Sequence, residues 1–232
     1  MIDTQAVRRA AIFRMMTDAE ISEALDVLHG EKKRVPKGAV LLHAGSTTDR
    51  MGVILDGSVT IETNDLWGNR TILSYVGAGE VFAETYAFLP GETMLVDVCT
   101  NESCRLLFLR IDGLCRMDAA RYPWLHRFVF NLLTISAQKN LALTGRSFHT
   151  APKSARGRLM AYLNTISLQK NSRTFDIPFD RQQLADYLNL ERSAVSKELG
   201  KMRREGLLEF RKNHFEIRYQ PESDPAAKHR YT

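Results

Sequence analysis

Residues 180–199 read DRQQLADYLNLERSAVSKEL. Asp180 and Gln183 have the spacing of a capping box, in which each side chain satisfies the other's backbone N–H at a helix start. Leu184, Ala185 and Leu188 then recur on one helical face, and Ala185 is small where a second helix must cross closely. Asn189 falls where a tight turn needs positive φ, which Asn tolerates when Gly is absent. Leu190, Val195, Leu199 and Met202 form the inward face of a second helix reaching about Arg204. Two short helices joined by such a turn form a helix-turn-helix.

The outward face of the second helix carries Arg192, Ser193, Ser196, Lys197 and Lys201. The first four lie near its N-terminus, the part that meets base edges when such a helix enters the major groove. Arg181 and Gln182 open the first helix and join this candidate DNA-binding set. Beyond Gly206, residues 207–211 and 215–219 alternate apolar with polar across a turn at Lys212, Asn213 and His214, which predicts a β-hairpin wing with Arg211 and Lys212 as phosphate contacts. Net charge is +5 overall; residues 1–116 hold 12 Lys and Arg against 16 Asp and Glu, net −4, and residues 117–232 hold 20 against 11, net +9. The basic half is the half with the helix-turn-helix, as nucleic-acid binding requires.

Upstream, Thr150 reads as a helix N-cap with Pro152 in the first turn, and Ala155, Leu159, Tyr162, Leu163 and Ile166 give that helix one apolar face. Phe175, Ile177 and Phe179 alternate as a strand, which Pro178 confines to a sheet edge. Before them, residues 117–146 keep a helical period. Leu125, Phe128, Leu132, Ile135 and Ala142 form one stripe, and Val129, Leu133 and Ala137 form another. A helix apolar on two faces must bury both, one on its own domain and one on a second copy, which predicts a homodimer with its seam around Leu125, Phe128, Leu132 and Ile135. Gly145 to Thr150 is expected to break the helix as a hinge.

From Val35 the pattern changes to short alternating runs, Val53/Leu55, Val59/Ile61, Ile72 with Ser74 and Leu107 to Ile111, separated by glycines. This texture predicts an antiparallel β-roll. Asp56-Gly57 between two such runs predicts a type I′ hairpin turn. Ahead of it, Met15, Met16, Ile21, Leu25 and Leu28 follow a Thr17/Asp18 helix start. The fold class is therefore α+β: a β-roll (jelly-roll) sensor domain over 1–116, a dimerisation helix over 117–146 and a winged helix-turn-helix over 147–232.

No apolar run reaches membrane-spanning length, and Arg8, Arg9 and Arg14 interrupt any signal-peptide core, so a cytoplasmic protein with no membrane partner is expected. Cys99, Cys104 and Cys115 match no metal or iron–sulfur spacing, and the six His form no H-x-H pair. No metal site, no iron–sulfur cluster and no catalytic residues are expected. A cupin-type metalloenzyme fused to a DNA-binding domain is a distant alternative, because His43 stands without the partners such a site needs.

The arrangement resembles the cyclic-AMP receptor and fumarate–nitrate regulator (CRP/FNR) family of bacterial transcription regulators. The resemblance spans roughly residues 10–220. It is carried by KGAVLLHAG (37–45), MGVILDGSVTI (51–61), GEVFAE (79–84), LADYLNLERSAVSKEL (184–199) and RREGLLEF (203–210). It implies a sensor β-roll, a dimerising helix and a winged helix reading a palindromic operator in double-stranded DNA, with RNA polymerase as a further partner. It also implies a transcription regulator, not an enzyme.

Two departures qualify that resemblance. The family's cyclic-nucleotide binders carry G-E-x-x-G-E-L and, ten residues after the second Glu, Arg-Ser or Arg-Thr. Here Ala83 replaces the Gly, and Met94-Leu95 replaces the pair that would meet the phosphate. A phosphodiester needs a cation and donors that two apolar side chains lack, so the expected effector is an unknown small molecule other than cyclic AMP. Its pocket is read as Phe82, Ala83, Glu84, Thr85, Met94 and Leu95, closed by Lys139 or Asn140. Haem sensing of gas or redox state is the alternative, with His43, His126 or Cys99 as axial ligand. In the reading helix, Ser193 stands where many relatives place Glu and Lys197 where they place Arg, which predicts an operator different from theirs.

Overall fold

The computed structural model describes residues 7–64, 70–89 and 91–218, without the Arg70 side chain. They belong to two compact units, Met1–Asn140 and Leu141–Thr232, and the division falls within the long helix.

The first unit is a β-sandwich. Strands β1 (Glu31–Val35), β3 (Arg50–Asp56), β6 (Val81–Phe82) and β8 (Cys104–Arg110) form an antiparallel sheet in the order β1-β8-β3-β6. Strands β2 (Val40–Leu42), β4 (Val59–Asn64), β5 (Arg70–Val76) and β7 (Asp97–Thr100) form the other, in the order β2-β7-β4-β5. Side chains alternate across a strand, so paired β3 and β8 divide their residues between two cores. Ile54, Leu106 and Phe108 join Val59, Val76 and Val98 between the sheets. Met51, Val53, Leu107 and Leu109 point the other way and pack with residues of helices α1 (Asp18–Val27) and α3 (Leu125–Thr150). Burial on both faces explains why these two strands read as nearly unbroken apolar runs.

The Asp56-Gly57 hairpin does not form. Asp56 ends on β8, opposite Arg105, whereas β4 pairs with β5 and β7, so the chain crosses here from one sheet to the other. Only Gly57 has positive φ (85°), where a type I′ turn needs two such residues. Gly57 is required by space as well, because a Cβ there would lie 2.7 Å from Cys104 Sγ.

Helix α1 starts as expected, with Thr17 and Glu20 in a reciprocal capping box. Met16, Ile21, Leu25 and Leu28 are buried, whereas Met15, expected among them, has positive φ and is exposed. On α3, Leu125, Phe128, Leu132 and Ile135 are all buried in the first unit's core, and Asn131 Nδ2 donates to the carbonyls of Ile12 (2.9 Å) and Arg14 (2.8 Å). This stripe, expected at the dimer seam, therefore faces the protein's own core instead, and Ala142, read as part of it, is exposed. Val129, Phe130, Leu133 and Ala137 are the exposed residues beside it.

The expected break at Gly145 is absent: α3 continues as helix to Thr150. One glycine in a helix costs only about 1 kcal/mol, which neighbouring contacts offset. Thr150 is inside this helix, its hydroxyl donating to Arg146 O at 2.9 Å. The N-cap of α4 (Ala155–Lys170) is instead Ser154, whose hydroxyl accepts from Gly157 N at 3.0 Å.

The second unit packs α4, α5 (Arg181–Tyr187) and α6 (Arg192–Arg204) against a three-stranded sheet, β10 (Leu208–Arg211), β11 (His214–Ile217) and β9 (Thr174–Asp176), in that order. Its core holds Leu159, Leu163, Leu184, Ala185, Leu188, Val195, Leu199, Met202 and Phe215. β9 is an edge strand, but it ends at Asp176, so Ile177, Pro178 and Phe179, expected in it, lie beyond the strand. Tyr219, read as the end of the wing, lies outside the described residues.

Candidate nucleic-acid interface and β-roll pocket

The capping box at the start of α5 is reciprocal: Asp180 Oδ1 accepts from Gln183 N at 2.8 Å, and Gln183 Oε1 accepts from Asp180 N at 2.9 Å. At the other end Asn189 is left-handed (φ 52°), Leu190 N donates to Ala185 O (2.9 Å) and Asn189 N to Asp186 O (3.3 Å). These two bonds form a Schellman stop, which ends α5 and turns the chain into α6. Val195, Leu199 and Met202 bury one face of α6.

Arg192, Ser193, Ser196, Lys197 and Lys201 are all exposed on the opposite face. Two acids of this region are engaged elsewhere: Arg156 holds Glu198 (2.6 Å) and Glu205 (2.7 Å). That pairing keeps the Glu205 carboxyl below its usual range and raises the Arg156 guanidinium. Among the described residues no carboxylate forms an ion pair with Arg192, Lys197, Lys201, Arg211 or Lys212. The outward face of the motif is thus cationic and unneutralised, which suits a polyanion.

Arg211 and Lys212 are exposed at the hairpin, where Lys212 takes positive φ (55°). Gln182 is exposed and donates to Asp186 Oδ1 at 2.8 Å. Arg181 differs from the rest of the expected set. It is partly buried, its guanidinium lies over Phe210 (5.2 Å) and Phe215 (6.0 Å), and Nη2 donates to Lys212 O at 3.3 Å. Burial, and then the charge of Arg192, pushes its titration down. Arg181 therefore braces the wing against α5.

Two residues outside that set hold the turn. Arg158 donates to the carbonyls of Pro152 (2.8 Å), Leu188 (3.0 Å) and Asn189 (2.9 Å). Arg146 donates to those of Tyr187 (3.1 Å) and Asp186 (3.2 Å) and to Asn189 Oδ1 (3.3 Å). A helix C-terminus leaves carbonyls without intrahelical partners, and two guanidinium forks supply donors and favourable charge there.

In the β-roll, Phe82 stands edge-on to Phe108, ring centroids 5.9 Å apart. Its ring covers Gly52, where a Cβ would meet it at 2.0 Å. Ala83 follows in the left-handed conformation (φ 58°) as N-cap of the short helix α2 (Glu84–Phe88), a position that glycine would take without strain. Glu84 is buried, and Lys139 Nζ reaches both of its carboxylate oxygens and Val81 O, each at 2.8 Å. An ammonium has three N–H donors, and three acceptors are present.

The structure thus brings Phe82, Ala83, Glu84 and Lys139 together, with Met94 buried in the adjoining sandwich core. Thr85, Leu95 and Asn140 are exposed, Leu95 by 74%. Of the expected haem ligands, His43 and His126 are exposed, and Cys99 Sγ is 3.3 Å from Glu62 Oε1. None of the three belongs to the group around Glu84. No helix among the described residues is long and apolar enough to cross a membrane.

Comparison with known proteins matches residues 32–117 to the cyclic nucleotide-binding domain and residues 157–220 to the Crp-like helix-turn-helix domain. The cAMP-activated global transcriptional regulator CRP of Haemophilus influenzae is 24% identical over 174 residues, 73% of this chain and 75% of that protein. The CRP-like protein Clp of Xanthomonas campestris is 21% identical over 188 residues, 79% of this chain and 82% of that protein. The solved structure of the c-di-GMP responsive regulator CLP of Xanthomonas campestris covers 88% of this chain, and 100% of its own chain is covered, with TM-score 0.60 and 20% identity. CprK, complexed with OCPA, matches over 83% of this chain and 88% of its own with TM-score 0.57 and 15% identity.

Proposed function

Because the chain belongs to the CRP/FNR family of transcription regulators, with a cyclic-nucleotide-binding-type β-roll ahead of a Crp-like helix-turn-helix, we propose that it is a dimeric, sequence-specific DNA-binding regulator acting in the cytoplasm, whose β-roll takes a small molecule other than cyclic AMP. Arg192, Ser193, Ser196 and Lys197 read base edges in this proposal. Lys201, Arg211 and Lys212 hold phosphates, Gln182 flanks them at the start of α5, and Arg181 keeps the wing in register with the reading helix. RNA polymerase is the further partner of the DNA-bound dimer.

The observation that carries the effector reading is the Lys139–Glu84 pair. Both oxygens of Glu84, the second carboxylate of the cassette, and all three donors of Lys139 are engaged with each other and with Val81 O. A cyclic nucleotide would have to displace that pair to find either a ribose acceptor or a phosphate cation, and Met94, buried, and Leu95, exposed, supply neither. Glu84 without Lys139 would repel the phosphate, and losing one partner of a buried charge pair costs about 2–5 kcal/mol.

Calorimetric titration with cyclic AMP, followed by operator binding in its presence, tests this. No heat of binding and unchanged operator affinity are expected. Micromolar binding that also raises operator affinity would overturn it. Cyclic di-GMP, to which the Xanthomonas relative is described as responsive, is the second nucleotide to titrate. The haem alternative has no specific observation in its favour.

A further inference from the structure

His149 is a buried histidine of the second unit that the reading of DNA leaves unused. It is 4% exposed in the last turn of α3, and its two ring nitrogens touch two hydroxyls: Nδ1 is 2.9 Å from Tyr187 Oη and Nε2 is 3.0 Å from Thr165 Oγ1. The tautomer follows from counting protons. The Thr165 hydroxyl has one proton and donates it to Ala161 O at 2.9 Å, so it accepts from His149. Nε2 therefore carries the proton, Nδ1 is the acceptor, and Tyr187 donates to it.

Tyr187 is the last residue of α5, directly before the turn into α6. Its ring also packs on Phe179 (4.9 Å) and Tyr162 (5.4 Å), and Tyr162 is edge-on to His149 (5.4 Å). We propose that His149 is a positioning residue for DNA reading, whose neutral Nε2–H imidazole ties α3 and α4 to the end of α5 through Thr165 and Tyr187, and whose protonation breaks that tie and weakens operator binding. The proposal rests on the reading of α6 given above.

Burial of the ring opposes its protonation. On α3, Arg146 lies over the Tyr187 ring at 5.6 Å; α4 carries Arg158, engaged with the carbonyls of Pro152, Leu188 and Asn189, and the neutral Tyr162; α5 carries Tyr187, and Asp186, whose carboxylate takes Gln182. Burial pushes both tyrosines up, so they stay neutral through the pH range in question, and pushes His149 down. No described carboxylate is hydrogen-bonded to the ring. An imidazolium here would be a buried cation facing a hydroxyl proton, and Tyr187 would have to rotate to accept.

The test is equilibrium binding of the full chain, between pH 8 and 5.5, to a duplex that the protein itself selects from a random library. Specific affinity is expected to fall by up to about tenfold per pH unit below the His149 titration. His149→Gln, whose amide oxygen and nitrogen replace the two ring contacts without titrating, is expected to bind at pH 7.5 and to flatten the profile. Tyr187→Phe serves where the Gln variant does not fold: without the hydroxyl there is no bond for protonation to break, so weaker operator binding at pH 7.5 and a flattened profile are expected. An unchanged profile in either variant would overturn the proposal. Operator binding with a flat wild-type profile would also overturn it and leave the reading of α6 intact; absence of any selected site would remove that reading and this proposal with it.

Discussion

Lys139 Nζ stands 2.8 Å from each carboxylate oxygen of Glu84, closing the β-roll cassette with a charge pair from the chain itself. Replacing Lys139 by Met leaves Glu84 buried without its cation. Hydrogen bonds to charged groups contribute about 1.5–3 kcal/mol each, so a loss on that order is expected in urea denaturation. Glu84→Gln added to Lys139→Met should recover part of it. Equal stability of Lys139→Met and wild type would show the pair to be without consequence for the fold.

The exposed stripe of α3 predicts where a second copy sits. Phe130 and Leu133 are each 66% exposed, whereas Leu132 beside them is 7% exposed in the core. Leu133→Asp is expected to give folded monomers by light scattering with unchanged circular dichroism. Leu132→Asp should instead unfold the first unit, because a charge at that position is buried without a partner. Dimers persisting in Leu133→Asp would reassign the interface.

These stripes show what was legible in the sequence. Both were visible as periodic patterns, but period alone does not say which of two apolar faces meets the protein's own core; that depends on the strands packed against it. The helix-turn-helix was legible in detail, down to Asn189 and the Asp180–Gln183 box, because its signals are local. Asp56-Gly57 misled for the converse reason: one positive-φ glycine serves a crossing between sheets as well as a hairpin, and only long-range pairing decides. The contacts of Arg146 and Arg158 with residues 186–189 and the Lys139–Glu84 pair join residues 30 or more positions apart, and no local pattern announces them. Arg181 was legible as a basic residue at the start of α5, but its stacking on Phe210 and Phe215 was not.

Stability should depend on pH through His149. Its titration is lowered in the fold by burial, so below about pH 6.5, the ordinary histidine value, the unfolded chain takes up a proton that the folded chain does not. Stability is therefore full at higher pH and declines as pH falls through that value toward the folded one. Thermal melts from pH 8 to 5 are expected to show a falling midpoint, with a smaller fall in His149→Gln. An identical slope in both would exclude His149 as the source.

Base reading and phosphate holding should separate by mutation. Arg192→Ala is expected to lower affinity for the preferred operator by about 1–3 kcal/mol and relax one base position. Lys201→Ala should weaken binding to all sequences alike and lower the salt slope by about one. Equal losses on operator and random DNA for both variants would reject this division.

The measurement that bears most directly on the proposed regulator is selection of bound duplexes from a random library by the purified chain, followed by sequencing. A two-fold symmetric site is expected, with half-sites centred about 34 Å apart, one turn of B-DNA, as for helix-turn-helix dimers in general. Its half-site bases should change or lose definition in Arg192→Ala. Enrichment of no sequence, or of a site without two-fold symmetry that Arg192→Ala leaves unaltered, would contradict a dimer reading DNA through α6.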